Sequence, residues 1–139
     1  MNKDNLYYHV LDIIRGTTVD GPGFRTAIYL SGCGHKCRGC HNPQSWDSKA
    51  GSRVSLEQIL ETVEEEDFDV TLTGGDPLYN PLTTMILAKH IKEMGYKIWL
   101  YTGYVYEEIK KLKIFYRNLH MEFNLFCIMI YKHYKLCGK

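Results

Sequence analysis

Three cysteines lie close together in the segment SGCGHKCRGCHNPQSWD, which covers residues 31–47. Cys33, Cys37 and Cys40 are separated by three and then by two residues. Cysteine thiolates at such short spacing bind metal ions or hold the irons of an iron–sulfur cluster. The segment therefore predicts a site with three protein thiolates, one fewer than a closed four-ligand site requires.

The missing fourth ligand leaves two interpretations. Structural zinc is usually bound by two separated pairs of ligands. The chain has no second cysteine pair, although His35, His41 or a distant cysteine would complete a set of four. A small zinc-binding interaction module therefore stays open as the alternative. A cubane iron–sulfur cluster with three thiolates leaves one iron for a ligand that is not protein, and this interpretation is favoured. A catalytic thiol is disfavoured because it needs one cysteine and a base.

The segment TGGDP, residues 73–77, offers a second group of chemically useful atoms. It follows the predicted strand 69–73, and Gly74 and Gly75 expose main-chain groups that can bond the ammonium and carboxylate of a small ligand. Asp76 offers an anionic partner for the ammonium. The segment lacks the Gly-Lys-Ser/Thr ending of a phosphate loop, and taken alone it is equally a turn.

The composition is that of one globular domain. A chain of 139 residues is long enough to bury a hydrophobic core. Its 45% hydrophobic and 24% charged residues are ordinary fractions for a globular domain. A net charge of +1 gives no overall field that recruits nucleic acid or a membrane surface. No apolar run reaches the roughly 18–20 residues of a membrane span, and the first residues lack a signal-peptide pattern. We therefore expect a cytoplasmic protein, in which five cysteines do not form a disulfide framework.

Predicted strands alternate with predicted helices along the chain. The patterns indicate strands at 9–14, 24–30, 69–73 and 96–101, and helices at 55–66, from 80 to about 95 and from 105 to 112. Alternation of this kind indicates parallel strands joined by crossover helices, an α/β architecture.

Capping signals mark two of these helices. Ser55 and Gln58 match a capping box at the start of the first. Asn80 is predicted to cap the second, with a proline at its first position and a glycine after its end. The apolar face of the second helix is predicted to consist of Leu82, Met85, Ile86 and Ile91.

The character of the chain changes after about residue 113. The remaining residues hold three of the five phenylalanines, together with Cys127 and Cys137, which are expected to be buried without a ligand role. Residues 123–131 fit a buried strand or a buried helix, because periodicity alone does not separate the two. We therefore predict a core domain at 1–113 and a divergent or truncated tail at 114–139.

The spacing C-x₃-C-x₂-C resembles the signature of the radical S-adenosylmethionine enzymes, and the flanking segments narrow the resemblance. TTVDGPGFRTAIYLSGC (17–33), CHNPQSWD (40–47), TGGDPL (73–78) and YTGY (101–104) occur in this order. Together they resemble the activating proteins of anaerobic ribonucleoside-triphosphate reductase. CHNPQSWD also resembles the activase of pyruvate formate-lyase.

This resemblance implies a fold, two cofactors and an activity. The expected fold is an incomplete TIM-like barrel of parallel strands with outer helices and an atypical C-terminal part. By resemblance, Cys33, Cys37 and Cys40 hold a [4Fe–4S] cluster whose open iron is chelated by S-adenosylmethionine. Reductive cleavage of this cofactor then releases a 5′-deoxyadenosyl radical, which abstracts hydrogen from a glycine of the reductase.

The partners follow from the same resemblance. They are the glycyl-radical subunit of an anaerobic ribonucleoside-triphosphate reductase and an electron donor such as a flavodoxin. Activation of another glycyl-radical enzyme, such as pyruvate formate-lyase, is the alternative within this class. No nucleic acid and no membrane is expected as a partner.

The resemblance also implies contacts to S-adenosylmethionine, and no catalytic side chain is expected beyond the cluster and this cofactor. The expected contacts come from the cluster loop and the turn, namely Gly39, Cys40, His41, Gly74, Gly75 and Asp76. Thr102 and Gly103 are expected near the ribose. Asp20 and Arg25 fit either a loop that orients the cofactor beside the cluster or a tight turn with an ion pair.

The tail departs from the family. Members of the family carry a Val-Asp-Gly-Lys-like segment and, nearer the end, an Arg-Gly-Ser-Ser-Asn-like segment. Neither occurs in residues 113–139. The expectation is that the last strands of the barrel, part of the ribose contact and the docking surface differ, and that the activase is defective.

Overall fold

The computed structural model describes residues 5–118 and 127–130, which form a six-stranded sheet and three helices. The strands are β1 (Tyr7–Thr17), β2 (Arg25–Leu30), β3 (Ser52–Ser55), β4 (Asp69–Gly74), β5 (Ile98–Thr102) and β6 (Cys127–Ile130). The helices are α1 (Leu56–Glu66), α2 (Pro81–Glu93) and α3 (Tyr106–Asn118). The strand order across the sheet is β3-β1-β2-β4-β5-β6.

Four neighbouring strands, β2, β4, β5 and β6, are parallel. One helix lies in each connection between them, so the predicted α/β alternation is confirmed here. Strands β2 and β4 pair in register from Arg25 opposite Asp69 to Leu30 opposite Gly74. Both strands therefore end at the same edge of the sheet, and the segments that follow them meet there.

The prediction of parallel strands is wrong for β1, and the remaining strand, β3, was not predicted. Strand β1 is antiparallel to both β2 and β3. Residues 18–24 alone join β1 to β2, and so short a link cannot carry the chain back for a parallel pair. Strand β3 was not predicted, because its four residues show no apolar alternation and it forms by pairing with β1.

The bounds of the predicted strands shift by a few residues. Strand β1 is longer than the predicted 9–14, and β5 begins at Ile98 rather than at residue 96. In the ambiguous segment 123–131, residues 127–130 form a strand. The proposed boundary near residue 113 falls inside α3, and the division into two domains stays a prediction.

One hydrophobic core lies between the sheet and all three helices. Alternate strand residues face it, and the helices add their apolar sides; its members include Ile28, Leu30, Leu56, Ile59, Val63, Val70, Leu72, Met85, Leu87, Ile91, Leu100 and Ile109. The opposite face of the sheet carries more polar and aromatic side chains, among them Arg25, Tyr29, Thr71, Thr73, Trp99 and Tyr101. Among the described helices none is long and apolar enough to cross a membrane.

The capping predictions had different outcomes. At α1 the capping box is confirmed: Gln58 N–H donates to Ser55 Oγ at 3.2 Å, and Ser55 N–H donates to Gln58 Oε1 at 3.0 Å. At α2 the prediction is wrong for the side chain, because Asn80 makes no capping hydrogen bond. The predicted apolar face of α2 is confirmed for Met85 and Ile91 and wrong for Leu82, which is 39% exposed, while Leu87, which was not predicted, is buried.

Candidate functional site

The cysteine loop begins where β2 ends, at the carboxyl edge of the parallel strands. Cys33 comes first, and a turn then joins Cys37 to Cys40, whose N–H donates to Cys37 O at 3.1 Å. Lys36 adopts a left-handed conformation, with φ of 49°, as the loop changes direction. All three cysteines are half-buried. Ligands of α/β proteins bind at this edge of the sheet.

Main-chain N–H groups bond to the sulfurs of the loop. Asn42 N–H lies 3.4 Å from Cys40 Sγ, and the N–H groups of His35 and Lys36 bond to Cys33. Burial raises the pKa of the Cys33 thiol, and these two N–H groups oppose that shift. Hydrogen bonds of this kind stabilise the thiolate that iron binds. The chemistry of the loop therefore fits an iron–sulfur cluster.

The arrangement of the possible metal ligands in the loop is open in this structure. In the part of the chain that the structure describes, no three His, Cys, Asp or Glu side chains converge as ligands of one ion. A cubane cluster does not require such convergence, because each thiolate binds a different iron.

The Gly74–Gly75–Asp76 turn touches the cysteine loop through the main chain. Gly75 N–H donates to Leu30 O and Asp76 N–H donates to Gly32 O, both at 2.8 Å. A Cβ on Gly75 would lie 2.5 Å from Gly32 O, so no larger residue fits. The hydrogen bonding of β2 and β4 thus continues beyond the strands and holds the two segments side by side.

Asp76 joins the turn to β5 and to the cysteine loop. The residue is 2% exposed, and its carboxylate accepts hydrogen bonds from Leu78 N–H, Thr102 Oγ1–H and Gly103 N–H at 2.8–2.9 Å. Its Oδ2 also lies 2.7 Å from His35 Nε2. The buried charge is therefore surrounded by donors, as a charge away from water must be.

Gly39 and His41 lie on the outer side of the loop. Both residues are exposed. Gly39 has φ of 76°, a conformation that favours glycine, and a Cβ there would meet nothing within 4 Å. The structure thus joins the first part of the cysteine loop to the turn through Gly32 and His35, while Gly39 and His41 are exposed to solvent.

The residues expected near a ribose make internal contacts. Thr102 is fully buried, and its hydroxyl is shared between the two oxygens of Asp76 at 2.9 Å. Gly103 leaves room for the ring of His35, since a Cβ would lie 2.9 Å from its Cδ2. These contacts give both residues a role in supporting the turn.

The interpretation of Asp20 and Arg25 as a loop beside the cluster is wrong for Arg25. Arg25 begins β2, at the edge opposite the cysteine loop, roughly 16 Å away along the strand. Its Nε–H donates to Thr71 Oγ1 at 2.8 Å, while Asp20 Oδ2 accepts from Tyr29 O–H at 2.8 Å. The short link between the antiparallel strands thus ends at the far edge, while Asp20 lies against Tyr29 and Thr71 of the sheet.

The sequence patterns did not predict the contacts that two residues, Ser45 and His35, make within the site. Ser45 is 1% exposed, and its carbonyl accepts from Gly32 N–H at 2.7 Å. In the sequence, Asn42 and Pro43 indicate a turn here, but they do not indicate that Ser45 contacts the cysteine loop. His35 was considered only as a zinc ligand, and its bond to Asp76 depends on residues distant in sequence.

Comparison with known proteins agrees with this site. Residues 19–127 match the family model of the 4Fe-4S single cluster domain. The fold is similar to that of QueE from Escherichia coli, with a TM-score of 0.58 and 18% identity over 73% of this chain and 54% of that one. Fold and cysteine loop together thus define a class, the proteins that carry a single [4Fe–4S] cluster.

Two relatives narrow this class. The chain is 35% identical over 107 residues to the anaerobic ribonucleoside-triphosphate reductase-activating protein of Enterobacteria phage T4, covering 69% of this chain and 67% of that protein. It is 36% identical over 104 residues to the pyruvate formate-lyase-activating enzyme of Clostridium pasteurianum, covering 67% of this chain and 44% of that enzyme. The chain belongs to the family of the anaerobic ribonucleoside-triphosphate reductase-activating proteins and spans about two thirds of their length.

Proposed function

We propose that this chain activates an anaerobic ribonucleoside-triphosphate reductase by generating a glycyl radical in it. The observation that carries the proposal is the main-chain contact between the three-cysteine loop and the Gly74–Gly75–Asp76 turn. The family match to the reductase-activating proteins supports the choice of reaction. The chain is then a radical S-adenosylmethionine oxidoreductase.

In this proposal Cys33, Cys37 and Cys40 hold the cluster through their thiolates. When bound, the [4Fe–4S] cluster supplies the electron for reductive cleavage of S-adenosylmethionine, which yields the radical that removes hydrogen from glycine. The N–H groups of His35 and Lys36 favour the thiolate of Cys33 and oppose the burial that raises its pKa, and Asn42 N–H donates to Cys40 Sγ.

The cofactor contacts divide between two segments. Gly39, Cys40 and His41 line S-adenosylmethionine from the exposed side of the loop, and Gly74 and Gly75 line it from the turn. The carboxylate of Asp76 already accepts bonds from buried donors. We therefore assign the contact of Asp76 with the ammonium group of S-adenosylmethionine to the main chain of this residue. The side chain of Asp76 holds the turn in place.

The sheet would form part of an incomplete barrel. All three helices lie on one face, as on the outside of a barrel, and the opposite face is more polar. An open side then admits the glycine-bearing loop of the partner. A flavodoxin-like protein in the cytoplasm would donate the electron.

Activation of a different glycyl-radical enzyme is the second candidate. The 36% identity to a pyruvate formate-lyase-activating enzyme favours it, although the match covers 44% of that longer enzyme. The two candidates share all the chemistry at the cluster and differ only in the partner. Glycyl-radical formation by electron paramagnetic resonance (EPR), with each purified partner in turn, separates them.

The first experiment tests the chemistry without a partner. The chain is reconstituted anaerobically with iron and sulfide, reduced with dithionite and supplied with S-adenosylmethionine, and 5′-deoxyadenosine is quantified. Product is expected from the wild type and from Cys137→Ala, a cysteine outside the loop. It should be absent from Cys33→Ala, Cys37→Ala and Cys40→Ala. Product formation that survives loss of the loop cysteines would refute the proposal.

A further inference from the structure

His35 is buried within an otherwise exposed stretch of the cysteine loop. Its side chain is 7% exposed, whereas its neighbours Gly34 and Lys36 are exposed. A histidine flanked by glycine and lysine in a polar loop has no hydrophobic reason to be buried. The reason lies in its contact with Asp76, at 2.7 Å between Nε2 and Oδ2.

The imidazole ring is held on two further sides. Gly103 lies against one edge, where a Cβ would approach Nε2 to 3.0 Å. Tyr104 meets the ring edge to face, with 4.5 Å between the centroids and 68° between the planes. His35 is therefore fixed in direction as well as in position, since its neighbours leave little room for another rotamer.

This contact connects the proposed cluster ligands to the end of β5. His35 lies between Cys33 and Cys37 in the chain, and Asp76 in turn bonds Thr102 and Gly103. The main-chain bonds of Gly75 and Asp76 join the loop to β4 alone. His35 thus adds a second, side-chain connection at the middle of the cysteine segment.

We infer that His35 is a positioning residue, which holds the cysteine loop and the Gly74–Gly75–Asp76 turn in the relative arrangement that S-adenosylmethionine would require for binding at the cluster. The inference rests on the proposed function. Residues that bond to the supports of a metal site commonly change affinity or activity about 10–100-fold when removed. His35 acts through the loop and through Asp76, and it does not need to touch the cofactor.

The test compares two substitutions at this position. His35→Ala removes the bond to Asp76, and His35→Gln keeps a side-chain N–H donor of similar reach. His90→Ala is the matched control, because His90 also faces a carboxylate, Glu93, at 3.5 Å and lies on α2 away from the loop. For each protein we would measure iron per chain, KM for S-adenosylmethionine, kcat, and the EPR spectrum of the reduced cluster with and without cofactor.

The expected result is specific to the cofactor. His35→Ala should bind as much iron as the wild type, but its KM should rise about tenfold, and the spectral change on adding S-adenosylmethionine should be weakened. His35→Gln should restore most of the wild-type KM and most of the spectral change, and His90→Ala should match the wild type.

Two results would overturn the inference. One is a normal KM and a normal spectral change in His35→Ala. The other is equal loss of iron in both His35 variants, which would mean that the residue only folds the loop. A wild-type cluster that does not respond to S-adenosylmethionine would instead overturn the proposed function itself, and the inference with it.

Discussion

The thiol of Cys33 is the residue whose protonation matters most for loading the site. Burial raises its pKa above the ordinary value, the charges of Asp76 and Cys40 act in the same direction, and nearby N–H groups oppose them. Iron binds the thiolate, so binding must release the proton. Affinity for iron should therefore increase as the pH rises toward the raised pKa.

This gives a pH prediction for assembly of the cluster. In an anaerobic competition with a chelator, corrected for the chelator's own titration, iron retained by the protein should increase steadily from pH 7 to pH 9. His90→Ala should follow the same curve. Retention that stays constant over this range would show that the thiol is already ionised at neutral pH.

Gly75 is a residue of the turn where a single added methyl group should be harmful. Its Cβ would approach two carbonyl oxygens, Gly32 O at 2.5 Å and Ser45 O at 3.0 Å, and main-chain atoms cannot rotate away. Gly75→Ala should lower the free energy of unfolding by about 2 kcal/mol and abolish 5′-deoxyadenosine formation. Gly34→Ala is the stability control, because its Cβ would meet only Tyr79, at 4.0 Å. Urea unfolding that finds equal stability for the two variants would contradict the packing argument.

At the scale of elements, the first residues of α1 and α2 allow a matched comparison of a capped and an uncapped helix start. Ser55 accepts a hydrogen bond from Gln58 N–H, whereas the side chain of Asn80 makes no capping bond. Ser55→Ala should therefore cost about 1 kcal/mol of stability, and Asn80→Ala should cost much less. Both values come from urea unfolding of the cluster-free protein. A larger loss at Asn80 would show that it caps α2 after all.

The same two helices show how far sequence patterns reach. Ser55 and Gln58 are three residues apart, so their reciprocal bonds depend only on local geometry and were predictable. Asn80 follows a 3₁₀ turn at Pro77–Tyr79, which leaves its backbone at φ −124° and ψ 81°. The preceding turn thereby fixes the direction of the Asn80 side chain, and this direction cannot be predicted from the residue type alone.

The strands show the same limit. The parallel strands were predictable because buried apolar runs and helices alternate in the chain. The direction of β1 depends on the length of one link, and β3 exists through pairing with a distant segment. In the site, the three cysteines and the turn were visible in the sequence. The bonds among His35, Asp76 and Thr102 were not, because they join segments far apart in the chain.

At the scale of the whole molecule, the family match ends at residue 127. Residues 113–139 lack two segments that the family resemblance leads one to expect. We therefore predict that a chimera carrying the C-terminal segment of the phage T4 relative after residue 112 forms more glycyl radical than this chain. The measurement is the EPR amplitude of the radical per activase, with cluster content matched. A chimera no more active than the present chain would show that the tail is not limiting.

The main-chain bonds of Gly75 and Asp76 to Leu30 and Gly32 have a consequence for protein engineering. They make the cysteine loop and the turn two ends of one hydrogen-bonded ladder, spaced by the distance of about 4.8 Å between neighbouring strands. Each segment is held in position by main-chain hydrogen bonds to the other segment. A graft of the cysteine loop onto another scaffold would therefore need β2, β4 and the glycine turn together, transferred as one piece.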